Sequence, residues 1–193
     1  MSRTRFVPVA LVSAAVLAGP ASAQHMNHPA PASGVRAELI RDIESLEQKY
    51  MALAEAMTGK YDWRPGEGVR SVGEVFAHVG GANFLLPTMI GIAPPEHLSA
   101  SNMDEAFARM QELEAVTDEA EIRESLAHSF MHARHAISRI PDAELDDEVT
   151  LFGSPGTKRS ALILLVNHMH EHLGQSIAYA RTNNVTPPWS GGQ

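Results

Sequence analysis

The chain has 193 residues, no cysteine, and 23 acidic against 15 basic side chains, a formal net charge of −8 with histidine neutral. Without cysteine there is no disulfide framework and no thiolate ligand, so any metal site has to use histidine, carboxylate and water. The acidic balance excludes the basic footprint that nucleic acid or anionic lipid requires, and the length suits one domain around one core.

Residues 1–23 read as a signal peptide. Arg3 and Arg5 form a short positive start, Phe6 to Ala18 is apolar but short for a bilayer span, and Ala21-Ser22-Ala23 is a small-x-small cleavage pattern. Cleavage after Ala23 delivers the mature chain to the periplasm or the cell exterior. No later segment is apolar for long enough to cross a membrane. Residues 24–34 form a polar, Pro-containing flexible leader. Its His25, Met26 and His28 have the chemistry to bind a soft metal, and a plain tail accounts for them as well.

The folded domain is expected over residues 35–190. A long helix runs from about Val35 to Met57, with Leu39, Ile43, Leu46, Tyr50 and Leu53 on one stripe. After Gly59 and Pro65-Gly66 a second helix starts at Ser71, where Ser71-Val-Gly-Glu74 has the form of a capping box, and ends at Pro87. A short acidic amphipathic helix follows over Asn102 to about Val116. Thr117 can cap the next, which reaches about Ile140. A loop containing Gly153, Pro155 and Gly156 leads into the last helix, about Lys158 to Arg181, closed by Asn183-Asn184 and Pro187-Pro188. Glu148 to Phe152 is extended at most, so no sheet is expected. Four long helices with linking loops make an all-α bundle.

The last helix carries the chemistry. His168 and His172 stand four residues apart and share a face with Ala161, Leu165 and Tyr179. Two imidazoles on an apolar face are expensive unless something binds them, and a metal ion is the commonest such partner. Open metal sites use three protein ligands and leave one position for water or substrate. The third candidate is His78, on the apolar side of the second helix with Val75, Ala82 and Leu86. Inward histidines from two helices can meet in a bundle core. A core histidine satisfied by a carbonyl or carboxylate is the alternative for any one of them.

The remaining histidines fail this test. His128, His132 and His135 also run down one helical face, but opposite the stripe of Ile122, Leu126, Phe130, Ala133, Ile137 and Ile140. They are expected on a solvated face. His170 points away from its neighbours, and His97 lies in a loop without an evident partner. Glu74 precedes His78 by one turn and is a candidate to orient it, though its capping role already accounts for it. Glu171 lies around the helix from the His pair. Thr157, Lys158 and Arg159 can hold an anionic group, or serve as a cap with solvated charges. There is no H-E-x-x-H, G-x-S-x-G, phosphate loop or dinucleotide fingerprint.

The stretch His168-Met-His-Glu-His172-Leu-Gly-Gln175-Ser-Ile-Ala-Tyr179-Ala-Arg181, followed by Pro187-Pro188-Trp189-Ser190, resembles the last helix and tail of the DinB-like (damage-inducible) superfamily. Tyr61-Asp-Trp63-Arg-Pro65 and Arg70-Ser71-Val72-Gly-Glu74-Val-Phe-Ala-His78 resemble its entry to helix two. The resemblance covers roughly Val35 to Ser190. It implies a four-helix bundle in up-down-down-up order, often a homodimer. It also implies a divalent metal, most often zinc or nickel, on His78, His168 and His172. Relatives include thiol-dependent S-transferases and a maleylpyruvate isomerase, in which the metal activates a low-molecular-weight thiol. The export signal departs from that pattern, because those thiols are mainly cytosolic.

Two functions follow as expectations. The first is a metal-dependent transferase or hydrolase acting on a small molecule, with zinc, nickel, iron or manganese as the ion. Asn83, Gln175 and Tyr179 are its candidate pocket residues. The second is a non-catalytic metal-binding or stress-response module, which a fourth protein ligand closing the site would favour.

Overall fold

The computed structural model describes residues 33–191, so the signal peptide and nearly all of the leader lie outside the described residues. The described residues form helices α1 (Gly34–Ala56), α2 (Val72–Leu85), α3 (Met103–Glu114), α4 (Glu119–Arg139) and α5 (Lys158–Thr182). A hairpin of β1 (Glu148–Leu151) and β2 (Ser154–Thr157) precedes α5. Each of α1 and α2 packs against both α4 and α5, and α3 lies on the outside against α2.

Local chemistry explains most boundaries. The capping box at α2 is complete: Ser71 Oγ accepts from Glu74 N and Glu74 Oε2 accepts from Ser71 N. Asn102 caps α3 through its side chain. Asp118, not Thr117, caps α4, its carboxylate accepting from Glu121 N at 2.8 Å. Pro87 ends the regular hydrogen bonding of α2, but the chain continues as a 3-10 turn over Leu86–Ile90. That turn tolerates proline near its start.

The hairpin corrects the expectation of a loop. Phe152 and Gly153 both have positive φ, 48° and 82°, the backbone of a two-residue type I′ turn. Phenylalanine is unusual there, which is why the turn was not legible. A Cβ at Gly156 would come within 2.7 Å of Leu151 Cδ1, so glycine permits the two strands to pair beneath that side chain.

α2 is buried on most of its sides because it is enclosed by α3, α4 and α5. An aromatic group holds the centre: Tyr50 lies 5.4 Å from Phe130 and 6.3 Å from Phe76, centroid to centroid. Each such fully buried side chain contributes on the order of 1.5–3 kcal/mol. Tyr50 also donates its hydroxyl hydrogen to the carbonyl of Met169 at 2.7 Å. That bond joins α1 to α5 beside His168 and helps set the register in which α5 presents its histidines.

Candidate metal centre

His78, His168 and His172 meet between α2 and α5. One nitrogen from each lies within 4.8 Å of the other two, and the group can hold a metal ion. Ring centroids are separated by 5.1 Å (His78 to His168), 4.8 Å (His78 to His172) and 4.5 Å (His168 to His172). His78 and His168 face each other through their Nε2 atoms at 3.2 Å. Two imidazole nitrogens on a tetrahedral zinc would be separated by about 3.3 Å. The donor set therefore fits a divalent ion in chemistry and in spacing.

The nitrogens on the far sides of the rings matter as much. His78 Nδ1 donates to Glu114 Oε1 at 2.8 Å, and His172 Nδ1 donates to Gln175 Oε1 at 2.8 Å. Each bond holds the proton on Nδ1 and leaves the Nε2 lone pair free for a ligand. His168 differs, because its buried Nδ1 has no partner. With the His78 proton held on Nδ1, a hydrogen bond between the two Nε2 atoms requires His168 to donate from Nε2, and an ion bound there would require that proton to move to Nδ1.

Burial favours the neutral rings that metal binding needs. It pushes the His168 pKa down to about 3, with the neighbouring fields of His172, His78 and Arg70 adding to the effect. His172 is also lowered, chiefly by burial, against the opposing bond from Gln175.

A hydrogen-bonded belt supports the cluster. Arg70 donates through Nε and Nη2 to Glu114, at 2.7 and 3.2 Å, and Glu114 also binds His78. Burial alone would raise the Glu114 carboxyl, but the bonds from His78 and Arg70 outweigh it and hold it below its ordinary value. On the other side Gln175 donates to the Tyr179 hydroxyl at 2.9 Å, and Tyr179 donates to the carbonyl of Arg70 at 3.2 Å. Trp63 packs edge-on against Tyr179. The belt thus runs from His78 through Glu114, Arg70, Tyr179 and Gln175 to His172.

Glu114 is the residue that sequence reasoning missed. It comes from α3, 36 positions from His78, and no local spacing links them. Glu74, the alternative partner, is occupied by its cap and by Arg64 at 3.0 Å. Gln175 and Tyr179 do line the cluster, as orienting groups. Asn83 does not. Five residues beyond His78, it lies about 140° around the helix at 100° per residue. It is fully buried against α4, donating to Ser129 Oγ at 3.1 Å.

His170 is exposed and bonds Asp42 of α1, so it is not a ligand. Thr157 caps α5 with Ser160, Lys158 pairs with Glu144 and Asp147, and Arg159 pairs with Asp146. Each of these two charges is matched by carboxylates of the segment before the hairpin. The α4 stripe is only partly solvated: His128 and His135 are exposed, while His132 lies against Phe84 with a buried, unpartnered Nε2. Phe84 of α2 lies against that side of α4, which the helical period of α4 could not reveal. His97, His128, His132 and His135 line a groove of about 1040 Å³, and none of the three clustered histidines borders it. The groove does not locate the chemistry here. Convergent donors do.

A family model described as the DinB superfamily matches residues 33–176, a stretch that contains all three clustered histidines. The chain belongs to the DinB superfamily. Its fold is also that of a solved structure, a conserved protein from Enterococcus faecalis, with a TM-score of 0.63 at 16% identity. The likeness covers 78% of this chain and 97% of that one. No curated protein matches the chain. DinB membership agrees with the mostly helical fold and with a three-histidine group that can hold a metal ion.

Proposed function

We propose that this DinB protein binds one divalent ion on His78, His168 and His172 and uses it as a transferase or hydrolase acting on a small molecule. Zinc or nickel is favoured over iron or manganese by the family resemblance. The observation that carries the reading is the combination of converging ring nitrogens with Nδ1 atoms tied back to Glu114 and Gln175. Such outer bonds orient metal-ligating imidazoles and raise their basicity. Among the described residues the group contains three ligands, the number that leaves a place for water or substrate.

When bound, the ion supplies Lewis acidity, bringing the pKa of a water or thiol toward neutral pH. The chain supplies the rest. Glu114 holds the His78 proton away from the ligand nitrogen, and Gln175 does the same for His172. Tyr179 braces Gln175 and, through the Arg70 carbonyl, the loop entering α2. Metal analysis of purified protein tests the reading. About one equivalent is expected in the wild type and almost none in His78→Ala and His168→Ala. Stoichiometric metal surviving both substitutions would overturn it.

Export, an up-down-down-up helix order and homodimerisation belong to the same proposal. The Ala21-Ser22-Ala23 pattern supports export, and N-terminal sequencing of the mature protein should begin at Gln24. Sedimentation at micromolar concentration tests the dimer.

A further inference from the structure

We propose that Arg70 selects for the three-His centre a substrate bearing a negative charge, such as a carboxylate beside the reacting thiol. The inference rests on the metal-centre reading above and adds to it a substrate class and the residue that imposes it. Arg70 stands at the end of the loop entering α2, and its guanidinium grips the same Glu114 carboxylate that accepts from His78. Exposure rises along this series, from 14% for the His78 side chain to 19% for Glu114 and 42% for Arg70. The guanidinium is therefore the outermost member of the series leading from solvent to the histidines.

Two further features make Arg70 a recognition group rather than a structural clamp alone. Glu114 engages Nε and Nη2, and among the described residues no hydrogen bond uses Nη1. One edge of the fork is left to receive an anion, the geometry in which arginine binds carboxylates best. The backbone is held independently, because the Arg70 carbonyl accepts from Tyr179. What separates Arg70 from Arg159, which grips Asp146 through the same Nε and Nη2 pair, is that its carboxylate partner also binds His78.

Charge balance points the same way. Three neutral imidazoles cancel none of the charge of a divalent ion, and Glu114 is matched by Arg70. Glu171 is exposed, though its field does reach His172. An anionic ligand completes the balance, and its second charged group gains from a fixed guanidinium nearby. A protein of net charge −8 would otherwise repel such a molecule.

Cobalt-loaded mature protein tests this without an activity assay. Mercaptoacetate and 2-mercaptoethanol present the same thiol with and without a carboxylate. Their binding can be followed through the thiolate-to-cobalt absorption band, compared at matched thiolate concentration. The wild type is expected to bind mercaptoacetate about tenfold more tightly, a preference that shrinks with added salt. Arg70→Gln should bring the ratio to about one while keeping the backbone bond to Tyr179, and Arg70→Lys should keep part of it. An equal ratio in the wild type, or an undiminished ratio in Arg70→Gln, overturns the proposal. If Arg70→Gln fails to fold or to load cobalt, Arg70→Lys and the salt dependence of the wild type still decide. Absence of any histidine-dependent cobalt binding would instead remove the metal-centre reading itself.

Discussion

Two series of histidines run along helices of this protein at nearly the same spacing, and they arrive in different circumstances. His168 and His172 on α5 meet His78 on α2, and the outer nitrogens of two of the three rings are bonded to an amide or a carboxylate. His128, His132 and His135 on α4 line a groove whose other histidine, His97, comes from a loop. Together they form no group of three convergent donors among the described residues. Spacing along one helix is thus the cheap part of a metal site. The parts that distinguish the two series are a donor arriving from a second helix and acceptors that set the tautomer.

The sharpest way to break this comparison is to remove a histidine from each series. His172→Ala should abolish stoichiometric metal, whereas the double variant His128→Ala, His135→Ala should retain it, both read by elemental analysis after dialysis. Metal lost only from the α4 variant would reverse the assignment of the two series.

The next largest effect concerns the outer bonds. Glu114→Gln removes the charge from the acceptor of His78 and should weaken metal affinity roughly 10- to 100-fold, measured by competition with a chromogenic chelator. Gln175→Leu should act in the same direction, and Tyr179→Phe by only a few-fold because it acts through Gln175. Unchanged affinity in Glu114→Gln would reduce the belt to a packing feature.

His132 tests the α4 side. Burial lowers its pKa to about 4 from 6.5, with the field of His135 contributing. The unfolded chain therefore takes up a proton at this residue before the folded one does. The sign follows: stability falls as pH drops from about 6.5 toward about 4, and it is unaffected by this group above that window. His132→Leu should flatten that part of the profile in urea unfolding at pH 7.5 and 5.0. An identical slope in the variant would refute the assignment.

The smallest effect is expected at Tyr50. Tyr50→Phe keeps the ring and deletes the bond to the Met169 carbonyl, which should cost about 1 kcal/mol by urea denaturation. A modest loss of metal affinity should accompany it if the register of α5 matters to the cluster.

Much of the fold was legible in the chain because it rests on local patterns. The apolar stripe of α1, the capping box Ser71 to Glu74, and the His168/His172 spacing are each written within a few residues. The helical period alone put His78 on the inward side of α2 and kept His170 off the α5 cluster. The places where local reasoning failed depend on segments distant in the chain. The hairpin at Phe152-Gly153 uses a residue that turn chemistry disfavours. His132 is half-buried against Phe84, a residue of α2. Asn83 faces α4 because α2 is enclosed on several sides at once.

By itself, then, the sequence determined that helices form, where most of them start, and which three imidazoles point inward, since periodicity and capping are short-range properties. Only the tertiary structure decided that the three nitrogens converge, that Glu114 of α3 rather than Glu74 holds His78, and that Arg70 shares that carboxylate. Those facts depend on how α2, α3 and α5 pack, and the free energy that fixes the packing comes from apolar surface buried all along the helices, far from the site it creates.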